Sequence, residues 1–248
     1  MSTESERPRL SLEELATRFR GEMIPLTGKF SYFTTLPVAE EDLRQYLNDP
    51  IAAISPALLS LLPNIGVILA PYLEKTNGKS ECVSFERPGE TRFVMRSRWD
   101  LSEMTFLAFA IKEIEVADYH YQFYNALAGL AAERWNTDMQ ERFFRAIREE
   151  LSAEVHGEVD EKSWHLKQAL VRRQTNVRKE TKLFREYARQ AFEDTLTLYL
   201  HGTCCDIDVD TGPRQMPSRY LRRRLELLVN LFPPPDGYAV LPEQLKNR

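Results

Sequence analysis

The decapeptide HGTCCDIDVD, residues 201–210, brings together residue types that commonly bind metal ions. Histidine nitrogen and cysteine sulfur are the usual ligands of a tetrahedral zinc site, and His201, Cys204 and Cys205 offer three of them. Adjacent cysteines, however, seldom both reach one ion, and the chain has no spaced CxxC pair. The aspartates that follow alternate with Ile207 and Val209, a pattern typical of a half-buried edge strand. We therefore predict a helix end followed by a short strand, with a zinc site as the alternative.

Metal chemistry inside a helical bundle would need carboxylates and histidines that face one another from neighbouring helices. Glu161 and His165 are four residues apart and share a helix face, but the Glu-x-x-His spacing of di-iron bundles is absent from the sequence. The motifs HExxH and GxSxG and a phosphate-binding glycine loop are absent as well. Because these motifs are absent, a metal-dependent enzyme is only our second alternative. For the protein as a whole we expect no cofactor. The candidate residues of this enzyme are His120, Glu161, His165, His201, Cys204 and Cys205.

Charge is strongly segregated along the second half of the chain. Residues 133–161 contain nine acidic residues and four arginines, whereas residues 162–189 contain nine basic residues and two glutamates. If the two segments fold back on each other about Gly157, their charges pair, and such exposed pairs are worth only about 0.2 to 1 kcal/mol each. Otherwise residues 162–189 and 219–224 form a basic stripe for phosphates or for an acidic protein. The candidate binding residues of this stripe are Lys167, Arg172, Arg173, Arg178, Arg219, Arg222, Arg223 and Arg224.

The segment DYHYQFYN, residues 118–125, has an unusual density of aromatic side chains. Aromatic residues at helical spacing most often belong to a core, where each buries a large apolar area. Any that are exposed would instead anchor a partner protein. We therefore treat Tyr119, Tyr121 and Tyr124 as a candidate aromatic patch.

Composition excludes several classes of protein. The 248-residue chain is 43% hydrophobic and 28% charged, with a net charge of −4, which excludes a disordered chain. Three cysteines, two of them adjacent, do not make the framework of a secreted disulfide protein. The N-terminus has no apolar signal segment, and prolines interrupt the longest apolar stretch. We expect a cytoplasmic protein without a membrane span.

Local signals in the first hundred residues predict short helices and strands. Ser11 and Glu14 form a capping box that predicts a helix over residues 12–22. KFSYFTTL is typical of a strand, residues 39–48 of a helix that ends at the Asn-Asp-Pro sequence, and Ser55-Pro56 of the start of another. Residues 64–100 contain three strand-like runs, with Asn77-Gly78 suited to a tight hairpin, and so predict an antiparallel meander.

From residue 101 to residue 200 the apolar periodicity indicates long helices. Asp100 and Glu103 have capping-box spacing, and the residues after them repeat every three or four positions as far as Tyr124. We predict further helices over residues 137–155 and 159–200, separated by Gly157 and ended by Gly202. A C-terminal helix is expected over residues 216–232.

Together these patterns predict an α+β, predominantly helical fold, with a long-helix bundle packed against a small antiparallel β-meander. Residues 1–8 are expected to be a flexible tail and residues 9–248 one domain. Because no catalytic motif is present, we expect polar side chains to cover helix exteriors. The function hypothesis is a non-catalytic cytoplasmic interaction or adaptor protein, a subunit of a larger assembly. Nucleic-acid binding is the first alternative, and homo-oligomers are compatible with either.

Overall fold

The computed structural model describes residues 10–76, 80–172, 179–205 and 214–240. It confirms the predicted fold class, because the chain is α+β and predominantly helical. Two compact units make up the chain: a sheet unit of Met1–Asn48 and Leu62–Gln122, and a helical unit of Asp49–Leu61 and Phe123–Arg248. The single domain stays a prediction, and the predicted tail lies outside the described residues. Among the described helices, none has both the length and the apolar composition that a bilayer crossing requires.

The sheet unit is built on two sheets. Its described strands are β1 (Ile24–Pro25), β2 (Phe30–Thr34), β3 (Asn64–Ala70), β4 (Tyr72–Lys75), β5 (Glu81–Ser84), β6 (Phe93–Val94), β7 (Arg96–Leu101) and β8 (Met104–Ala110). A five-stranded sheet has the order β1-β2-β3-β8-β7, and a three-stranded sheet has the order β5-β4-β6. In the larger sheet β2, β3 and β8 are parallel, whereas β1 and β7 pair antiparallel at its edges.

The two central strands of the larger sheet, β3 and β8, are almost entirely buried. A strand covered on both faces is apolar at consecutive positions rather than at alternate ones. The helix predicted from residue 100 onward is therefore wrong over β8, because a short continuous apolar run fits a buried strand as well as a buried helix. Asp100 and Glu103 do not cap a helix; Asp100 lies in β7 and accepts a 2.6 Å hydrogen bond from the Thr105 hydroxyl.

The meander predicted for residues 64–100 is correct only in part. Antiparallel pairing joins β4 to β5 and to β6, but β3 pairs parallel with both of its neighbours. Parallel pairing brings together segments that are distant in sequence, so the spacing of turn residues gives no sign of it. The Asn77-Gly78 turn lies outside the described residues.

Two helices of the sheet unit follow their sequence signals. Helix α1 (Leu12–Phe19) begins with the predicted capping box, in which the Ser11 hydroxyl accepts from the Glu14 amide and the Glu14 carboxylate accepts from the Ser11 amide. A 3-10 turn at Arg20–Glu22 completes the predicted range. The helix predicted over residues 39–48 is present as α2 (Glu40–Leu43) and a π-helical turn at Arg44–Asn48, but its predicted end at Asn-Asp-Pro is wrong, because Asp49–Ala52 is also helical.

The helical unit contains most of the long helices. Its described helices are α3 (Asp49–Ala52), α4 (Pro56–Leu61), the greater part of α5 (Val116–Arg134), α6 (Thr137–Ser152), α7 (Glu161–Val171), α8 (Lys182–Cys204) and α9 (Ser218–Leu231). The single helix predicted over residues 159–200 is wrong, because α7 ends at Val171, residues 179–181 are not helical, and α8 begins at Lys182. Gly202 does not end α8, which continues to Cys204. The helix end predicted for the decapeptide is confirmed, and the strand predicted after it lies outside the described residues.

Aromatic side chains form the centre of the helical unit where α6 meets α8. The ring of Phe192 lies 5.3 Å from that of Phe143 in an edge-to-face arrangement and 4.6 Å from that of Trp135. Phe144 and Phe184 make a second edge-to-face pair at 5.3 Å. Such pairs add about 0.5–1.5 kcal/mol each to the free energy gained by burying the rings. These contacts fix one face of α6 and leave the opposite face to solvent.

Candidate functional site

A buried cluster of charged residues joins four helices of the helical unit. Arg224 of α9 is fully buried, and Glu150 of α6 is 3% exposed. The Arg224 guanidinium donates to Glu150 from Nε at 2.9 Å and from Nη2 at 2.6 Å. It also donates to Glu158 from Nη1 at 2.8 Å and from Nη2 at 2.9 Å, and its remaining donor reaches the Thr195 hydroxyl of α8 at 3.4 Å. All five N–H groups of the guanidinium therefore have an acceptor.

Glu158 is the second centre of this cluster. Besides Arg224, its carboxylate accepts from the ammonium of Lys167 at 3.2 Å and from the hydroxyl of Tyr187. Burial alone would raise the pKa of Glu158, but Arg224, Lys167 and Tyr187 outweigh burial and lower that pKa to about 2. The Lys167 ammonium also donates to the Gly157 carbonyl at 2.8 Å.

This cluster corrects two expectations from the sequence. Lys167 and Arg224 are buried, at 3% and 0% exposure, so neither belongs to an exposed basic stripe. The expectation that polar side chains cover only helix exteriors is wrong here, since four charged groups converge in the interior. We name Glu150, Glu158, Lys167 and Arg224 the ionic cluster. Its two positive and two negative charges balance, so its members are held in place by one another.

Three other arginines of the predicted stripe each contact a different nearby side chain. Arg222 pairs with Glu226 at 3.0 Å, Arg223 pairs with Glu149 at 2.8 Å, and Arg219 stacks on the ring of Tyr220. Arg172 caps the C-terminus of α7 and is exposed, while Arg173 and Arg178 lie outside the described residues. The acidic segment 133–161 therefore neutralises part of the stripe.

The aromatic residues of segment 118–125 do not form one exposed patch. Tyr119, in the sheet unit, is 1% exposed, and Tyr124, in the helical unit, is fully buried. Tyr121 is the exposed member, at 36%. The dense aromatic pattern therefore reflects packing on two sides of α5, as helical spacing of large rings usually does.

Of the candidate metal ligands, His120 lies in the sheet unit and the others lie in the helical unit. Glu161 and His165 form an exposed pair at 3.5 Å, and the same Glu161 oxygen accepts from Arg214 at 3.2 Å. His201 is buried beside the ring of Tyr124, with the ring centroids 6.3 Å apart. Because the Arg214 guanidinium already pairs with the Glu161 carboxylate, Glu161, His165 and Arg214 form a small ion-pair network at the surface.

Cys204 and Cys205 lie together at the end of α8. Neither cysteine is in a disulfide, both are half-buried, and their sulfur atoms are within 4.8 Å of each other. A hydrogen bond with Cys205 lowers the pKa of the Cys204 thiol to about 7; burial opposes this shift, and a hydrogen bond with the Tyr124 hydroxyl supports it. A thiol with such a pKa is partly thiolate at neutral pH and is both nucleophilic and able to bind metals.

A groove of about 800 Å³ runs along the solvent-facing side of α6. The α6 residues that line it recur every three or four positions, so they form one stripe of the helix. The stripe comprises Glu141, Arg145, Arg148, Glu149, Ser152 and the adjoining Ala153; buried Phe144 also lines the groove, and Glu180 lies across from the stripe. We call this the α6 groove. It covers about three helical turns, or roughly 16 Å.

Two charges of the α6 groove are without a partner in the described parts of the chain. Arg148 pairs with Glu180 at 3.0 Å, and Glu149 pairs with Arg223. Glu141 and Arg145 are exposed, and their side chains make neither a hydrogen bond nor an ion pair within residues 10–76, 80–172, 179–205 and 214–240. They lie one turn apart on the same face and present one negative and one positive charge to solvent.

Asp194 of α8 is a buried carboxylic acid outside the ionic cluster. It is 6% exposed, and its Oδ1 accepts from the Gln190 amide at 2.7 Å. Burial raises the pKa of Asp194 to about 6; Ser163 and Gln190 partly offset this effect, and the nearby charges of Asp160 and Glu193 add to it. Because this pKa exceeds 3.8, its value in an exposed acid, the protonated form stabilises the fold below about pH 4, and that stability is lost as pH rises through about 6.

Replacing Asp194 with asparagine is therefore expected to stabilise the protein at neutral pH. Asparagine keeps the oxygen that Gln190 contacts and removes the buried charge, so the free energy of unfolding should rise by about 1–3 kcal/mol near pH 7.5. Urea denaturation near pH 7.5 and near pH 4 measures the effect, which should shrink at the lower pH. Glu226→Gln, at an exposed position, is the control. A destabilising Asp194→Asn substitution near pH 7.5 would contradict the account of this residue.

No protein family model, curated protein or solved structure matches this chain.

Proposed function

We propose that this protein is a non-catalytic docking protein that binds a helix of a partner protein along the α6 groove. It would act as a subunit or adaptor of a larger assembly. The observation that carries this proposal is a pair of exposed charges on one stripe of α6, Glu141 and Arg145, whose side chains have no partner among the residues that the structure describes. Complementary charges across an interface select the partner and fix its register.

The ionic cluster supports a docking role because its four buried charges pair with one another and stabilise the helical unit. The Arg224 guanidinium has all of its donors engaged, and Glu158 is held ionised among three partners. Groups arranged in this way hold α6 rigidly from its buried side, through Glu150. A rigid helix whose outer stripe faces solvent is well suited to bind a preformed partner, because little conformational entropy is lost on binding.

The charges of the groove define the chemistry of the partner. A partner that is complementary in charge would place a basic residue opposite Glu141 and an acidic residue opposite Arg145. These two positions are separated by about one helical turn, or about 6 Å. A partner helix lying along α6 would carry an acidic and a basic residue three or four positions apart on one face. We therefore commit to a helical segment with such a pair as the occupant of the groove.

A reducing compartment such as the cytoplasm fits this proposal. The three cysteines all lie within the described residues, none of them is in a disulfide, and Cys82 is buried in β5. Proteins of oxidising compartments generally use their cysteines in disulfides.

Site-specific photo-crosslinking tests the proposal. A benzophenone amino acid placed at Ser152, an exposed residue of the α6 groove, is expected to give one discrete adduct in an extract of the native host. The same amino acid at Asn230, an exposed residue of α9, should not give that adduct. Mass spectrometry should place the crosslink in a helical segment with the charged pair described above. No adduct at Ser152, or the same adduct at both positions, would overturn the proposal.

A further inference from the structure

The two thiols at the end of α8 are placed so that both can reach one ion. Cys204 ends the helix and Cys205 is its C-cap, with an extended backbone conformation (φ −128°, ψ 146°). This change of conformation turns the second side chain away from the direction it would take in a continuing helix, and the two sulfur atoms lie within 4.8 Å of each other. Two thiolates on a tetrahedral zinc ion, with Zn–S bonds of about 2.3 Å, are roughly 3.8 Å apart. A small side-chain rotation therefore brings both into ligand distance.

A disulfide between these two cysteines is disfavoured. The Cα atoms of consecutive residues are about 3.8 Å apart, whereas a relaxed disulfide needs roughly 4.4–6.8 Å. The hydrogen bond from the Cys205 amide to the His201 carbonyl, at 2.8 Å, further ties the pair to the helix end. Both thiols therefore stay reduced and remain able to bind an ion.

Other polar groups of the helical unit surround the thiols. Asp49, the first residue of α3, is near enough to interact electrostatically with Cys204, and so is the hydroxyl of Tyr238. The Tyr124 hydroxyl contacts Cys204 and donates to the Pro50 carbonyl at 3.0 Å. Two thiolates beside a carboxylate would concentrate negative charge at one half-buried point, and a divalent cation would neutralise it.

We propose that Cys204 and Cys205 form a chelating dithiol site for a thiophilic divalent cation of the zinc group. Thiolate sulfur selects such soft d¹⁰ ions over magnesium or calcium. Asp49 is the carboxylate beside the site and would raise its affinity, either as an oxygen ligand or through its charge. The site is separate from the α6 groove, so the docking proposal and this one fail independently.

Titration of the full-length, reduced and chelator-treated protein with Cd²⁺ tests the site, because cadmium–thiolate bonds give an ultraviolet charge-transfer absorbance. The absorbance is expected to rise and saturate at one equivalent of Cd²⁺. It should be lost in the Cys204→Ser/Cys205→Ser protein and retained in the Cys82→Ser protein. Asp49→Asn is expected to weaken Cd²⁺ binding by about tenfold or more, the usual effect of removing a group that supports a metal ligand.

Circular dichroism establishes that each variant is folded, and competition with a chromophoric zinc chelator gives the affinity for Zn²⁺ itself. An equal absorbance change in the double-serine protein, or no saturable change in the unsubstituted protein, would overturn the proposal. If the protein binds Cd²⁺ but takes no measurable Zn²⁺ from the chelator, the assignment of the site to the zinc group as a whole would be overturned.

Discussion

The Arg224→Met substitution is expected to lower the free energy of unfolding by about 3–5 kcal/mol, the usual result of removing one partner from a buried ion pair. Arg224 is fully buried and is the shared partner of Glu150 and Glu158. Without the guanidinium Glu150 would lose its ion-pair partner, while Glu158 would keep Lys167 and Tyr187. The interior would then carry an excess negative charge, or a carboxylate would take up a proton on folding. Chemical denaturation near neutral pH measures the loss.

Two comparisons separate the loss of charge pairing from the loss of packing. Arg222→Met, on the exposed face of the same helix, should change stability by no more than about 0.5 kcal/mol. Adding Glu150→Gln to Arg224→Met should recover part of the loss, because Glu150 is the carboxylate that loses its counter-charge, whereas Glu158 keeps Lys167. A double-mutant cycle between the two positions should therefore give a coupling free energy of about 1 kcal/mol or more. Strict additivity would show that the ionic cluster is not an interacting unit.

Gly157→Ala is expected to destabilise the protein by about 2–6 kcal/mol, from backbone strain and steric overlap together. Gly157 has φ +72°, a conformation that costs little only for glycine. A Cβ atom there would also overlap the backbone carbonyl of Gln215 and come within 2.8 Å of the Arg214 carbonyl oxygen. Because Gly157 precedes Glu158 and accepts a hydrogen bond from Lys167, the backbone cannot shift without disturbing the ionic cluster.

Gly237→Ala is the matched control for this effect. Gly237 also has a positive φ, +89°, but a Cβ atom there meets nothing within 4 Å. Its substitution should cost about 1–3 kcal/mol, the strain contribution alone. Thermal or urea unfolding of both variants measures the difference. Equal losses at the two glycines would show that the close approach of Gln215 is unimportant.

Local sequence signals predicted those helices and strands whose structure is determined by residues close to one another in sequence. The capping box at Ser11 and Glu14 and the proline start at Pro56 have direct backbone causes, and both are present. The strand at Phe30–Thr34 and the helices α6 and α9 likewise follow from local periodicity. These features required no knowledge of what packs against them.

The strand β8 could not be predicted in this way. Its residues are apolar at consecutive positions, which satisfies helical and extended periodicity equally, and its partners β3 and β7 decide the outcome. Knowledge that Asn64–Ala70 pairs parallel with Met104–Ala110 comes only from the tertiary structure.

The ionic cluster left one signal in the sequence. Leu221, Arg224, Leu225 and Leu228 recur at helical spacing, so Arg224 falls on the apolar face of α9, and a buried arginine needs a carboxylate partner. That signal shows that Arg224 is not part of a surface stripe. Glu158, by contrast, lies outside the helices, where no periodicity indicates its position. The position of the α6 groove depends on which face of α6 packs against the core. Whether Glu141 and Arg145 have a partner among the described residues depends on the side chains that lie near them in space.

The binding affinity of the crosslinked partner for a charge-swapped α6 groove tests the docking account most directly. Glu141→Arg combined with Arg145→Glu keeps the composition and the net charge of α6 and reverses the order of the two charges, at a cost to the helix of a few tenths of a kcal/mol, about 0.2–0.5. Like charges facing each other across an interface cost several kcal/mol, so we predict that the dissociation constant rises at least about tenfold. The matching exchange on α9, Arg222→Glu with Glu226→Arg, should leave the constant unchanged. An unchanged constant for the α6 exchange, or an equal loss for both, would contradict the account.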